Sequence, residues 1–203
     1  TYKMQHRGGR GVAGMQTREE DFVENILVTS THDTILFFTN KGKVFRLKGY
    51  QIPEAGRSAK GMAIINLLHL DSDEKVKTVI PVREFDEGRY LMMSTANGTV
   101  KKTHLSEYGN INKSGLIAIN LREEDRLVGV RLTEGDHDIT LVTKHGMSIR
   151  FSENDVRATG RNTQGVKGIT LNEDDYVIGM APIEEDKTLL VISERGFGKR
   201  TEM

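Results

Sequence analysis

The chain has 203 residues, 29 of them basic and 29 acidic, so its formal net charge is zero. It contains no cysteine, which excludes disulfides and thiolate zinc sites and suits a cytoplasmic setting. No apolar run reaches the length of a membrane span and no signal-peptide pattern opens the chain. The even charge argues against a nucleic-acid partner unless the two signs are segregated in space.

In chain order, the first motif is Gln5-His6-Arg7-Gly8-Gly9-Arg10-Gly11-Val12. Its glycines permit close backbone approach and its arginines offer planar forks of donors suited to phosphate. A hairpin signal follows in Phe38-Thr39-Asn40-Lys41-Gly42-Lys43-Val44-Phe45-Arg46, an apolar run, a Gly-bearing turn and a second β-rich run. The same pattern returns around Gly98, Gly146 and Gly196, spaced 56, 48 and 50 residues apart. Each glycine has a hydroxyl residue three positions before it (Thr39, Thr95, Thr143, Ser193) and a cation four after it (Arg46, Lys102, Arg150, Arg200).

A second series interleaves with the first. Gly11, Gly61, Gly115 and Gly165 are spaced 50, 54 and 50 residues apart, and each sits in a Gly/Lys/Arg-bearing block. An acidic knot follows each block, as in Asp71-Ser72-Asp73-Glu74, Glu123-Glu124-Asp125 and Glu173-Asp174-Asp175. Two series with a shared period near 50 predict an all-β fold of about four strands per unit, arranged as blades around an axis. The repeats fall at about 1–21, 22–72, 73–122, 123–172 and 173–203. The chain opens within one unit and closes within another, as a fragment of a larger protein would.

The recurrent cations predict a basic track around the rim, with the acidic knots on another face. Its members are Lys41, Lys43, Arg46, Lys48, Arg57, Lys60, Lys101, Lys102, Lys113, Lys144, Arg150, Arg161, Lys167, Lys199 and Arg200. Such a track suits duplex DNA, which it holds through counterion release without reading sequence, and contacts that recur regularly are what bending a stiff duplex requires. Aromatics make up only 6% of the chain and there is no tryptophan, so base stacking on single strands is not expected. The six histidines show no metal-ligand spacing, and no nucleophile elbow or Walker loop is present. No catalytic residue, metal or cofactor is therefore expected.

Gln5 to Gly11 resembles the box that marks the C-terminal DNA-wrapping domain of the A subunits of bacterial gyrase. Gly98-Thr99-Val100-Lys101-Lys102-Thr103 and Gly196-Phe197-Gly198-Lys199-Arg200-Thr201 resemble that domain's repeats, and the resemblance runs the whole length. It implies a β-pinwheel, a propeller-like disc whose blades exchange strands. It also implies DNA wrapped around the rim and clamped by Gln5, His6, Arg7, Gly8, Gly9, Arg10 and Gly11, giving the enzyme its ability to introduce negative supercoils. Catalysis, ATP and magnesium would belong elsewhere in an A2B2 holoenzyme, formed with the A-subunit core and the B subunit. That enzyme would be cytoplasmic and associated with the bacterial nucleoid, and the isolated fragment would be a monomer. Two positions depart from the family pattern: His6 stands where Arg is common, and Ile111 stands where the other blocks carry Arg7, Arg57 or Arg161. A topoisomerase IV-type A-subunit domain and a kelch-like protein-binding propeller are the alternatives.

Overall fold

The computed structural model describes residues 7–9, 23–56, 59–184 and 186–202. Four hairpins organise it: β1 (Thr34–Thr39) with β2 (Lys43–Lys48), β4 (Tyr90–Thr95) with β5 (Thr99–His104), β8 (Asp138–Thr143) with β9 (Ser148–Ser152), and β12 (Thr188–Ile192) with β13 (Gly198–Glu202). Each turn is closed by a glycine in the left-handed region, with φ of 73° at Gly42, 81° at Gly98, 83° at Gly146 and 80° at Gly196. A type I turn followed by a left-handed residue is a standard three-residue hairpin loop. The recurrent hydroxyl has a local role: Thr95 Oγ1 accepts from Thr99 N at 3.2 Å, and Thr143 Oγ1 from Met147 N at 3.1 Å.

Behind each acidic knot runs a further strand: β3 (Val76–Val82), β7 (Leu127–Thr133) and β11 (Val177–Ile183). These pair antiparallel with β1, β4 and β8. They touch one another in succession, β3 on β7 and β7 on β11, and so lie on the axis side of the arc. The Gly115 and Gly165 blocks contribute two short strands, β6 (Leu116–Ile117) and β10 (Val166–Lys167). These cross to the preceding blade, giving the orders β3-β1-β2-β6 and β10-β5-β4-β7. Blades therefore exchange their outermost strand. The sheets start on their hairpins, in a different phase from the sequence cuts at 22, 73 and 123.

The strands β1 and β4 are covered on both faces and are mostly apolar, as in Ile35-Leu36-Phe37-Phe38 and Leu91-Met92-Met93, whereas β9, β12 and β13 are largely exposed. Leu36, Phe38 and Val44 pack with Leu91, Met93, Tyr108 and Ile119 between the first two sheets. Met92 and Val100 pack with Ile139, Leu141 and Val177 between the next two. Ile35, Phe37 and Phe45 cover Leu68 on the opposite face of the first sheet. Backbone bonds repeat at each junction. Asn40 O accepts from Leu127 N and Ala96 O from Val177 N, both at 2.9 Å. Gly42 O accepts from Ala118 N, and Gly98 O from Gly168 N, both at 2.8 Å. Among the described residues no helix is long and apolar enough to cross a membrane.

Candidate nucleic-acid interface

The acidic knots do not lie on a separate face. Antiparallel pairing of β3 with β1 brings the start of β3, and the knot before it, beside the hairpin turn. Glu74 Oε1 accepts from Thr39 Oγ1 at 2.5 Å, Asp125 Oδ1 from Asn97 N at 3.0 Å and Asp175 Oδ1 from His145 N at 3.1 Å. The first knot also neutralises two expected rim cations. Lys41 Nζ lies 2.5 Å from Asp73 and 3.6 Å from Asp71, and Lys43 Nζ 3.2 Å from Asp71 and 3.8 Å from Glu74. The hydrogen bond from Lys43 is the first cause holding the Asp71 carboxyl below its ordinary range, and that from Lys41 does the same for Asp73.

Two further expected rim cations are inside the protein. Lys101 is 1% exposed and Lys102 5%. Lys101 Nζ donates to Ala118 O at 2.6 Å and Arg161 O at 2.5 Å. Burial, with a smaller effect from the nearby Arg161 charge, lowers its pKa to about 8. Lys102 Nζ donates to Glu153 O at 3.2 Å, stands 3.5 Å from the Glu153 carboxylate and lies 4.5 Å from the centroid of the Tyr90 ring. The adjacent lysines point to opposite faces of β5, and both faces are covered, so neither offers its charge at the rim. The basic track is thus interrupted at this blade.

Glu153 is fully buried and acts as a hub. It accepts from Thr133 Oγ1 at 2.8 Å, Gly135 N at 3.1 Å and His137 N at 2.7 Å. Burial alone would raise its pKa, but these bonds and the Lys102 charge hold it below the ordinary carboxylate value. Asp136, His137 and Glu153 come within 4.8 Å of one another, as metal ligands do. The Glu153 oxygens are already occupied by these donors and face an ammonium, which suits a structural cluster rather than a cation site.

The remaining expected contacts divide by partner. Arg46 and Lys48 are held on backbone carbonyls: Arg46 Nη1 donates to Gly109 O at 2.8 Å and Lys48 Nζ to His32 O at 3.2 Å. Arg150 pairs with Asp138 at 2.7 Å. Lys60, Lys113, Lys167, Lys199 and Arg200 are exposed, as is Lys144, whose ammonium lies 5.4 Å from the Tyr176 ring centroid. Arg161 is half-buried and donates from Nη1 toward Glu107 O at 3.5 Å. Of the box, Arg7, Gly8 and Gly9 form an exposed turn with Gly8 at φ 83°; Gln5, His6, Arg10, Gly11 and also Arg57 lie outside the described residues. Ile111 is 4% exposed and belongs to the core between the first two sheets, so at this position an apolar side chain packs where other blocks carry arginine.

A groove of about 510 Å³ opens on the outer half of the first blade. Strand β6 pairs only with Lys43 and Val44, leaving the β2 edge from Phe45 to Lys48 as its floor. Arg46, Lys48 and Lys113 line it, with Tyr50 and His69. Tyr50 and His69 lie outside the sequence expectation because neither belongs to the recurrent cation series. The corresponding space at the next junction is only about 140 Å³, because Ala158 bridges Lys102 and Thr159 N bonds Lys102 O there.

Known proteins resemble this chain along its whole length. The family described as DNA gyrase C-terminal domain, beta-propeller, matches residues 1–30, 33–83, 89–134, 137–184 and 187–203. The DNA gyrase A subunit of Clostridium acetobutylicum is 64% identical over 203 residues, covering 100% of this chain and 24% of the relative. The DNA gyrase A subunit of Halalkalibacterium halodurans is 58% identical over 167 residues, covering 82% of this chain and 20% of the relative. The chain thus spans about a quarter to a fifth of the curated relatives it matches. Among solved structures, a DNA topoisomerase IV C-terminal domain superposes with TM-score 0.78 at 35% identity, covering 85% of this chain and 54% of that one. A DNA gyrase A C-terminal domain superposes with TM-score 0.72 at 28% identity, covering 98% of this chain and 64% of that one.

Proposed function

The chain belongs to the DNA gyrase C-terminal domain family, and from that premise we propose that it binds duplex DNA without regard to sequence and wraps it along its outer edge. Within the A protein of a gyrase, joined to that protein's core and to the B protein in an A2B2 enzyme, such wrapping would bias strand passage toward negative supercoils. The Gln5–Gly11 box would clamp the wrapped segment. The observation that carries the reading is the recurrence of uncancelled cations on successive units, with Arg46, Lys48 and Lys113 lining one blade boundary, Lys167 on the exchanged strand β10, and Lys199 and Arg200 exposed on β13. No carboxylate lies within salt-bridge distance of these six among the described residues. ATP and magnesium would act in other parts of the enzyme, in the bacterial cytoplasm at the nucleoid.

The test is binding to random-sequence duplex over a salt series, with compaction of a flexible duplex as a second readout. The expected result is a steep linear fall of log K with log salt and shortening of the DNA. Arg7→Ala/Arg10→Ala is expected to reduce shortening more than affinity. Binding indifferent to salt would remove the proposal. The topoisomerase IV-type reading draws on the superposition with that domain; the intact box and 64% identity to a gyrase relative favour gyrase.

A further inference from the structure

We propose that the groove between β2 and the Ile111–Lys113 segment is a discrete grip for the phosphodiester backbone of duplex DNA, and that Arg46, Lys48 and Lys113 are its phosphate ligands. This rests on the DNA-binding reading and narrows it from a continuous rim to one built site.

The first argument is charge that is positioned but not cancelled. Lys41 and Lys43 are neutralised by Asp71, Asp73 and Glu74, Arg150 by Asp138, and Lys102 by Glu153. Arg46 and Lys48 instead donate to the carbonyls of Gly109 and His32. A carbonyl orders a cation and leaves its full charge for an anion, while the remaining guanidinium and ammonium hydrogens stay available. Lys113 is held less directly. His69 Nδ1 lies 3.3 Å from Lys113 O. This contact, a hydrogen bond in the Nδ1–H tautomer because a carbonyl only accepts, ties the Lys113 backbone to the opposite wall.

The second argument is shape. Arg46 and Lys48 are two residues apart on one strand, roughly 6.6 Å at the usual rise, so their side chains leave the same face of β2 side by side. The groove floor is strand edge that β6 leaves uncovered. The neighbouring junction has a much smaller opening, of about 140 Å³: Ala158 and Thr159 close over β5, and Lys101 turns its ammonium inward. Ile111 contributes by packing into the core, which leaves the space to the three cations.

The experiment compares Lys48→Ala/Lys113→Ala with Lys41→Ala/Lys43→Ala in the 203-residue chain, using random-sequence duplex over about 50–200 mM salt. Circular dichroism checks that each variant keeps its strand content. Loss of two phosphate contacts lowers the slope of log K against log salt by about 1.8, and the turn pair is expected to change it by less than half as much. Lys48→Arg/Lys113→Arg should retain the slope. Equal changes in the two alanine pairs would overturn the grip in favour of bulk charge. Saturation of the Lys48 and Lys113 ammonium resonances by inorganic phosphate at matched ionic strength would overturn it in favour of a free-anion site. If the unaltered chain shows no salt-dependent binding, the DNA reading falls rather than the groove alone.

Discussion

Lys102 separates a structural cation from a DNA contact. Lys102→Met removes the positive member of a pair in which the lysine is 5% exposed and the glutamate 0%. Glu153 keeps its bonds from Thr133, Gly135 and His137 but, among the described residues, loses its only lysine or arginine within 4 Å. Removing one partner of a buried pair costs about 3–5 kcal/mol, because the other charge stays in the protein uncompensated. At about 2–4 °C per kcal/mol for a chain of this size, the melting temperature should fall by about 6–20 °C. Equilibrium urea unfolding gives the free energy, and DNA binding under native conditions gives the salt slope. The expected outcome is a large loss of stability with an unchanged slope for the folded fraction. A variant as stable as the parent whose slope falls by about 0.9, the value of one lost phosphate contact, would refute the buried placement and restore Lys102 to the rim.

Other perturbations test the same architecture. A Cβ at Gly165 would collide with the Val100 carbonyl oxygen, and one at Gly115 would stand 2.8 Å from the Phe45 ring, both at positive φ; alanine at either should cost more than about 2 kcal/mol in urea unfolding. Gly146 also has positive φ but no atom within 4 Å of its built Cβ, so Gly146→Ala should cost only about 1–2 kcal/mol, and equal costs at all three sites would contradict the strand exchange. Glu153 has a folded pKa below its unfolded value, so its contribution is present above the unfolded carboxylate pKa and is lost as pH falls through the folded one; Glu153→Gln should flatten that acid loss in unfolding measured from about pH 6 to 3. Lys101 runs the other way. With a folded pKa of about 8 against 10.5, the unfolded chain holds a proton that the folded chain has released across that window, so stability from this site rises with pH there. Relative to Lys101→Met, the parent should gain stability between about pH 8 and 10, and a relative loss would contradict the burial.

Much of the fold is legible because it is written in local chemistry. Hairpin glycines need the left-handed region, the hydroxyl three residues earlier closes the turn at Thr95 and Thr143, and both residue types recur at the period of the blades. The strands β3, β7 and β11 are harder to see, although Val76–Val82 is β-rich, because no glycine turn announces them after the acidic knots. The knots escape a linear reading because segregation along the chain is not segregation in space: antiparallel pairing folds Asp71–Glu74 back onto Lys41 and Lys43. Lys101 and Lys102 escape it for a related reason. Alternation sends one of them to each face of β5, and alternation says nothing of whether neighbouring blades cover both.

The constant phase of the hairpin cation has a structural cause beside any functional one. Arg46 reaches Gly109 O and Lys102 reaches Glu153 O, each crossing to a short 3-10 segment of the following blade, Leu105–Tyr108 with its cap Gly109 and Glu153–Asp155. At these two junctions the position stitches successive blades, whereas Arg150 pairs with Asp138 of its own hairpin and Arg200 is exposed. What varies is the partner. At the first junction it is a carbonyl, and Arg46 keeps its charge at the outer edge. At the second the Glu153 carboxylate stands beside the carbonyl, where the matching position of the preceding unit is the apolar Leu105, and the charge of Lys102 is cancelled. Periodicity therefore locates the cations, but the partner each one meets, a carbonyl for Arg46, the next blade's Glu153 for Lys102 and its own hairpin's Asp138 for Arg150, decides which of them keep an uncancelled charge.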